Sequence, residues 1–137
     1  MEIPATALAF LESMKVPGVL STIGRDGGPV TSAVWFMVEG GQVVVSTPAA
    51  RPKARNARAN PLVSFVVDTK ERPYRGVAIE GEATVEEDSD RAAMRRIAAR
   101  YLGEPVPDWM EARIASSDRA VIRIVPHRVR PWGFEQG

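Results

Sequence analysis

The sequence predicts a mainly β, α+β domain: a six-stranded antiparallel barrel, closed or nearly closed, with peripheral helices. Three observations carry this. Short runs rich in Val, Ile, Thr and aromatic residues recur along the chain. The first three runs are separated only by tight glycine turns, so they pair as an antiparallel meander by loop length. The helical patterns are short and fall between or outside the strands. The 137 residues, 45% hydrophobic and 26% charged, suit one domain, 1–137, with a core of its own.

Pro4 to Met14 reads as a helix, with proline in its first turn and Ala7, Leu8 and Leu11 as a short apolar stripe. Pro17-Gly18 stops it. Val19 to Ile23 is the first strand. Gly24-Arg25-Asp26-Gly27-Gly28 turns on its Asp-Gly pair, and Val30 to Val38 is the second strand. Glu39-Gly40-Gly41 leads to a third, Gln42 to Thr47. Arg51 to Ala59 reads as a helix ended by Asn60-Pro61. Leu62 to Asp68 is the fourth strand, and 69–75 a polar loop. In the fifth strand, Gly76 to Glu86, Val77, Ile79, Gly81, Ala83 and Val85 share one face; Glu80, Glu82, Thr84 and Glu86 share the other. Asp88 to Leu102 is the longest helix, capped by Asp88 or Ser89 and ended by Gly103 and Pro105. Asp108 to Ala115 is a short helix that Trp109 packs onto the barrel. Ala120 to Val125 is the sixth strand, and Pro126 to Gly137 a tail.

Composition removes several chemistries. With no cysteine there is no disulfide, thiolate metal site or cysteine nucleophile. With His127 as the one histidine, a multi-histidine metal site is excluded, and its place in a basic tail makes it a surface residue. The opening Met-Glu-Ile-Pro lacks a secretory signal's basic start and apolar run, and no stretch reaches membrane-helix length, so a cytoplasmic location is expected. A net charge of +1 supplies no global field toward nucleic acid or membrane. The cations are nevertheless clustered. Arg51, Lys53, Arg55 and Arg58 stand together without an acid; Arg91, Arg95, Arg96 and Arg100 form a second group, expected to be a solvated face pairing with the acids before it.

The segment Ser46-Thr47-Pro48-Ala49-Ala50-Arg51-Pro52-Lys53-Ala54-Arg55-Asn56 carries the most chemistry. A strand ends in two hydroxyls, a turn follows, and a helix opens with closely spaced cations. Free helix N–H groups, hydroxyl donors and Arg or Lys side chains together suit a phosphate. The same residues also fit a plain solvated helix face.

This segment resembles the R-x-K-x-R-N…P run of the pyridoxamine-phosphate-oxidase-like split barrels, through Arg51-Pro52-Lys53-Ala54-Arg55-Asn56 and Asn60-Pro61. The resemblance extends over nearly the whole chain, through Gly18 to Thr22, Gly28 to Ser32, Val77 to Ala83, Arg119-Ala120-Val121 and Trp132-Gly133-Phe134. It points to the subgroup that uses the deazaflavin coenzyme F420. It implies a dimeric split barrel with two cofactors at the interface of a homodimer. Ser46, Thr47, Arg51 and Lys53 would hold the cofactor phosphate, with Arg55 and Asn56 as secondary contacts. Backbone groups of Thr31, Ser32, Ala33 and Val34 would meet the pyrimidine edge of the ring. Trp132 would approach the cofactor from the other subunit, and Trp35 and Phe36 would wall the pocket. The FMN-dependent pyridoxamine oxidases of this family carry Arg and Lys where this chain has Thr31 to Phe36. That departure favours the deazaflavin over FMN and argues against pyridoxamine phosphate as substrate.

The expected function is therefore an oxidoreductase passing hydride from reduced coenzyme F420 to a small conjugated or planar substrate. An FMN-dependent oxidoreductase and a non-catalytic cofactor carrier are the alternatives, and no catalytic side chain or metal site is named.

Overall fold

The computed structural model describes residues 1–134. Helix α1 (Ala5–Ser13) is followed by strands β1 (Gly18–Ile23), β2 (Pro29–Val34), β3 (Phe36–Glu39) and β4 (Gln42–Pro48). Helix α2 (Pro52–Ala59), strands β5 (Leu62–Asp68) and β6 (Gly76–Glu87), helices α3 (Ala92–Leu102) and α4 (Asp108–Ala115), and strand β7 (Arg119–Trp132) complete the order. The sheet has seven strands, not six, in the order β2-β1-β5-β6-β7-β4-β3, with antiparallel pairing throughout.

The extra strand arises because the run Val30 to Val38 is two strands broken at Trp35. β2 pairs with β1, whereas β3 pairs with β4. The break is held from far away in sequence: Phe36 N–H donates to the Tyr101 hydroxyl at 3.1 Å, a side chain standing where a strand ladder would continue. The two edge strands are thus joined through one residue. The sheet has to curl until its edges adjoin, and this makes the barrel wall.

The segment read as a tail is strand as far as Trp132. Pro126 marks a bulge rather than an end. Gly81 faces Pro126 and Glu80 faces Arg128, so His127 is the extra residue and no ladder N–H is required of the proline. Gly81 is the partner the bulge needs, since a Cβ there would collide with the Val125 carbonyl. The long helix starts at Ala92, later than the sequence suggests. Asp88 still caps it, from outside: its buried carboxylate accepts the N–H groups of Ala93 (3.3 Å) and Met94 (3.0 Å). Arg91, at φ 59°, turns the chain into the helix.

Inside the barrel, Leu20, Phe36, Val43, Val45, Phe65, Val77, Ile79, Ile122 and Ile124 pack together, with Phe36 edge-on to Phe65 at 5.1 Å. Ala7, Phe10 and Leu11 of α1 join this core. The expected two-faced pattern of β6 holds, with Val77, Ile79, Gly81 and Ala83 buried. A second cluster covers the outside of β3, β4 and β7 with Ala93 and Ile97 of α3, and a third, Met94, Ala98, Met110 and Ile114, joins α3 to α4.

The second arginine group is more than a solvated face. Arg95 and Arg96 pair with Glu111 (3.0 Å) and Glu39 (3.1 Å) as surface ion pairs. Arg91 and Arg100 instead serve orphan carbonyls at helix ends. Arg91 donates to Ile114 O and Ser117 O, both at 3.1 Å. Arg100 donates to Leu11 O (2.9 Å), Met14 O (3.0 Å), Glu12 O (3.3 Å) and Phe36 O (3.2 Å), tying α1 to the β2–β3 joint.

Arg100→Met should cost roughly 2–4 kcal/mol in urea unfolding, because several partly buried carbonyls lose a charged donor. Arg100→Lys should recover less than half of that loss, since an ammonium lacks the planar fork that reaches two segments at once. Full recovery in the lysine variant would show that charge alone holds the joint.

Candidate functional site

Beside the β2–β3 joint lies an open cleft of about 910 Å³. The end of β4, the start of α2, one side of α4 and the segment entering β7 form its other walls. β4 delivers Ser46, Thr47 and Pro48 to it, and α2 begins immediately past Arg51. Pro52 occupies the first helical position and has no N–H, while Ala54 and Arg55 both donate to Arg51 O. The α2 N-terminus alone is therefore a poor anion trap, and side chains must supply the donors.

They do so in an ordered way. Arg119 donates to Ser46 Oγ through Nε (3.4 Å) and Nη2 (3.3 Å), and Nη2 also meets Met94 Sδ at 3.3 Å. A guanidinium only donates, so Ser46 Oγ is the acceptor and its own O–H stays free to donate into the cleft. Thr47 is buried, with its hydroxyl against Pro48 O at 3.2 Å.

The electrostatics are one-sided. Among the described residues, Arg51, Lys53, Arg113 and Arg119 line the cleft, and no Asp or Glu does. None of these four cations makes an ion pair among the described residues. Burial, then repulsion from Arg51 and Arg119, holds the Lys53 ammonium below the usual lysine range. Burial likewise lowers Arg119, helped by Arg113, Arg91 and Arg51 and opposed by Asp88. Trp35 closes one wall, stacked on Tyr101 with ring centroids 4.6 Å apart and planes 5° from parallel.

Seven of the residues singled out in the sequence line the cleft: Ala33, Val34, Trp35, Ser46, Thr47, Arg51 and Lys53. Thr31, Ser32, Arg55, Asn56 and Trp132 do not. Thr31 Oγ1 bonds Ser21 Oγ at 3.0 Å, and Ser32 stands opposite Leu20 in the β1–β2 ladder. Arg55 is exposed. Asn56 Nδ2 donates to Thr22 Oγ1 at 3.2 Å, which fastens α2 to β1. Trp132 lies 40% exposed at the end of β7, opposite Gly76. Phe36, expected on the pocket wall, is fully buried inside the barrel. Trp109, expected to pack α4 down, is 58% exposed on the cleft rim, and Met110 does the packing. His127 is exposed, 3.9 Å from Glu82.

The α4 side of the cleft was missed by sequence reasoning. Met94, Met110, Arg113, Ser116, Ser117 and Arg119 all reach it. A signal was present, since Arg113, Ser116, Ser117 and Arg119 repeat the mixture of hydroxyls and cations found at 46–53. No group of three His, Cys, Asp or Glu suited to a metal ion occurs among the described residues.

The comparisons agree with this architecture. The structure is similar to a conserved hypothetical protein, Rv2991, from Mycobacterium tuberculosis: 32% identity, TM-score 0.80, covering 96% of this chain and 85% of that one. It is also similar to an F420 reductase: 27% identity, TM-score 0.77, covering 93% of this chain and 98% of that one. Likeness to a putative pyridoxamine 5'-phosphate oxidase from Listeria innocua, at 23% identity and TM-score 0.71 over 93% of this chain and 96% of that one, shows the shared fold. No curated protein sequence matches the chain. The family model for pyridoxamine 5'-phosphate oxidase matches residues 3–133, and the chain belongs to that family of split barrels.

Proposed function

We propose that the cleft binds the phosphate of a deazaflavin, coenzyme F420, and that the protein is an oxidoreductase acting on a small conjugated or planar substrate. The observation that carries this is the set of four cations without an ion pair among the described residues, with a free Ser46 O–H, in a cleft that no carboxylate of those residues lines. Such a set is unfavourable until an anion arrives. The 27% identical F420 reductase supports the deazaflavin over FMN, as does the absence of Arg and Lys from Thr31 to Phe36.

The residues present fit the group. Arg51 and Lys53 hold the phosphate with charged hydrogen bonds, and Ser46 adds a neutral one. β2 is an edge strand, so one side of its backbone from Thr31 to Val34 has no ladder partner and offers N–H and C=O groups to a heterocycle edge. Ala33 is small enough to let a flat ring lie close, and Trp35 bounds it. When bound, the reduced cofactor supplies hydride from its ring carbon. The protein's part is to bind, orient and shield.

A homodimer belongs to this reading. By register, Val19, Ser21, Thr31, Ala33, Ser64, Val66 and Ala78 share the outer face of β1, β2, β5 and β6. Across β1, β2 and β5 this strip is small and uncharged, and on β6 and β7 it is bordered by the Glu80–Arg130 ion pair at 3.2 Å, with Arg130 joining Val19, Ser64, Val66 and Ala78 around a shallow depression. Ala33 belongs to both the strip and the cleft. Trp132 follows on the same face through the Ala78–Arg130 and Gly76–Trp132 pairs. Two copies joined here would bring each Trp132 toward the other's cleft.

Titrating apo-protein in parallel with coenzyme F420 and FMN should show tight deazaflavin binding and much weaker FMN binding by fluorescence. The reverse order would assign the flavin branch, and turnover with no tested acceptor would leave a carrier. Lys53→Ala should weaken cofactor binding by about 1.5–3 kcal/mol.

The depressed Lys53 also makes a pH prediction. The unfolded chain keeps lysine near its ordinary 10.5, so between the lowered folded value and 10.5 the native state holds fewer protons. Apo-protein stability therefore rises with pH through that window, and the burial penalty is fully present below it. Lys53→Met should remove this rise, read as the difference in urea midpoint between variant and wild type from pH 8 to 10, and bound phosphate should flatten it.

Ser64→Arg should turn a dimer into a monomer in sedimentation and weaken cofactor binding with it. A wild-type monomer at tens of micromolar would contradict the dimer.

A further inference from the structure

We propose that Lys53 is a covalent modification site, acylated on Nζ by acyl phosphates that seat their phosphate in the cleft. The seating rests on the phosphate reading above, and the chemistry goes beyond it.

The lysines of the chain are Lys15, Lys53 and Lys70. Their surroundings differ. Lys15 is exposed past the end of α1, and Lys70 is exposed and paired with Asp68 at 2.8 Å. Lys53 is the lysine that lines the cleft, half-buried and without an ion pair among the described residues. An amine attacks carbon only in its neutral form. Burial and the repulsion of Arg51 and Arg119 disfavour the Lys53 ammonium, so more of it is neutral than in a fully solvated lysine.

The cleft also selects the electrophile. No Asp, Glu, His, Cys or Tyr lines it among the described residues. An ester or amide would expel an alkoxide or an amine that needs a proton, and no acid stands there to give one. An acyl phosphate expels phosphate, which leaves as an anion. Arg51, Arg119 and the free Ser46 O–H are the donors that hold it. The acyl carbon is one bridging oxygen from phosphorus. A phosphate seated on those donors therefore brings that carbon to Lys53, which lines the same cleft two residues from Arg51.

The step balances without an oxidant or reductant. The neutral Nζ gives its lone pair to the acyl carbon, and an N–C bond forms. The C–O bond to phosphate breaks, and its electron pair leaves on the phosphate oxygen. The extra proton on nitrogen passes to water. The products are a neutral amide and inorganic phosphate. The cleft then has one cation fewer, and its hold on a cofactor phosphate weakens. A phosphate already bound occupies the same donors and protects Lys53, so the modification marks the empty site.

The test incubates apo-protein with acetyl phosphate and follows each lysine by peptide mass spectrometry. Lys53 should be acetylated at least about tenfold faster than Lys15 or Lys70, through seating and free-amine fraction together. N-hydroxysuccinimidyl acetate, which carries no phosphate, should acetylate the two exposed lysines at least as fast as Lys53. Saturating orthophosphate should slow Lys53 alone. Arg51→Ala should cut the preference for Lys53 to below about threefold, as one charged donor is lost. Arg51 is exposed, so that variant should keep the wild-type melting temperature. Lys53→Arg keeps the charge and should remove the fast site while still binding orthophosphate, read by tryptophan fluorescence. Acetylation of Lys53 no faster than that of Lys15 and Lys70, or the same preference with both reagents, would overturn the proposal. Orthophosphate binding by wild type would then spare the phosphate reading, and its absence would overturn that reading too.

Discussion

The structure turns on one joint, the single residue between β2 and β3. Because Trp35 links the two edge strands, the sheet has no freedom to stay open. The joint is clamped by side chains from α3. Tyr101 accepts Phe36 N–H and donates its own proton to Val16 O at 2.9 Å, while Arg100 holds Phe36 O and the end of α1. A backbone that leaves one ladder for another would otherwise leave buried polar groups unpaired. The same clamp stacks Tyr101 against Trp35, and Trp35 is a wall of the cleft. Closing the barrel and shaping the site are therefore one event. The cleft is built where the sheet changes partners, which is also where β2 presents an unpaired backbone edge.

Stability and binding pull in opposite directions in that cleft. Holding Lys53 and Arg119 partly out of water, beside Arg51 and Arg113, works against folding. The rest of the chain is conservative by comparison. The core is aliphatic with two crossed phenylalanines, no buried side-chain polar atom among the described residues lacks a partner, and side chains of Asp88, Arg91 and Arg100 serve the start of α3 and the ends of α4 and α1. The partly buried unpaired charge among the described residues gathers at one place, and that place is concave.

What could be read from the sequence was local. Each strand but one was visible because its periodicity and turns lie within a few residues, and α2 and α4 were visible through their own composition. Trp35 was not, because the interruption of Val30 to Val38 is made by Tyr101, 65 positions away. The β7 extension was hidden behind Pro126, whose place at a bulge depends on Gly81 in another strand. The site divides the same way. Ser46, Thr47, Arg51 and Lys53 form one contiguous motif, so their meeting was legible. Arg119, Arg113 and Ser117 arrive by the packing of α4 on α3 through Met94, Ala98, Met110 and Ile114, a contact that no local pattern announces. Asn56 and Phe36 sit in suggestive sequence positions but face the barrel, because strand and helix phases are set by the whole sheet.

A net charge of +1 conceals how the charges are arranged. Acids occupy the outer face of β6 and the turns beside it, where Glu80 and Glu86 meet Arg130 and Arg123 at 3.2 and 2.6 Å. Those pairs cancel locally. The cleft cations have no such partners, and screening confines their field to about 8–10 Å at physiological salt, roughly the scale of the cleft itself. What an approaching molecule meets there is the local excess, not the sum over the chain. The excess of arginine over lysine fits this division. Arginine supplies fixed forks for carbonyls at Arg91 and Arg100 and for carboxylates at Arg96 and Arg123, and it keeps its charge when partly buried. The one lysine placed among them is Lys53, whose ammonium burial and the neighbouring Arg51 and Arg119 hold below the usual lysine range, a shift that a bound anion would oppose.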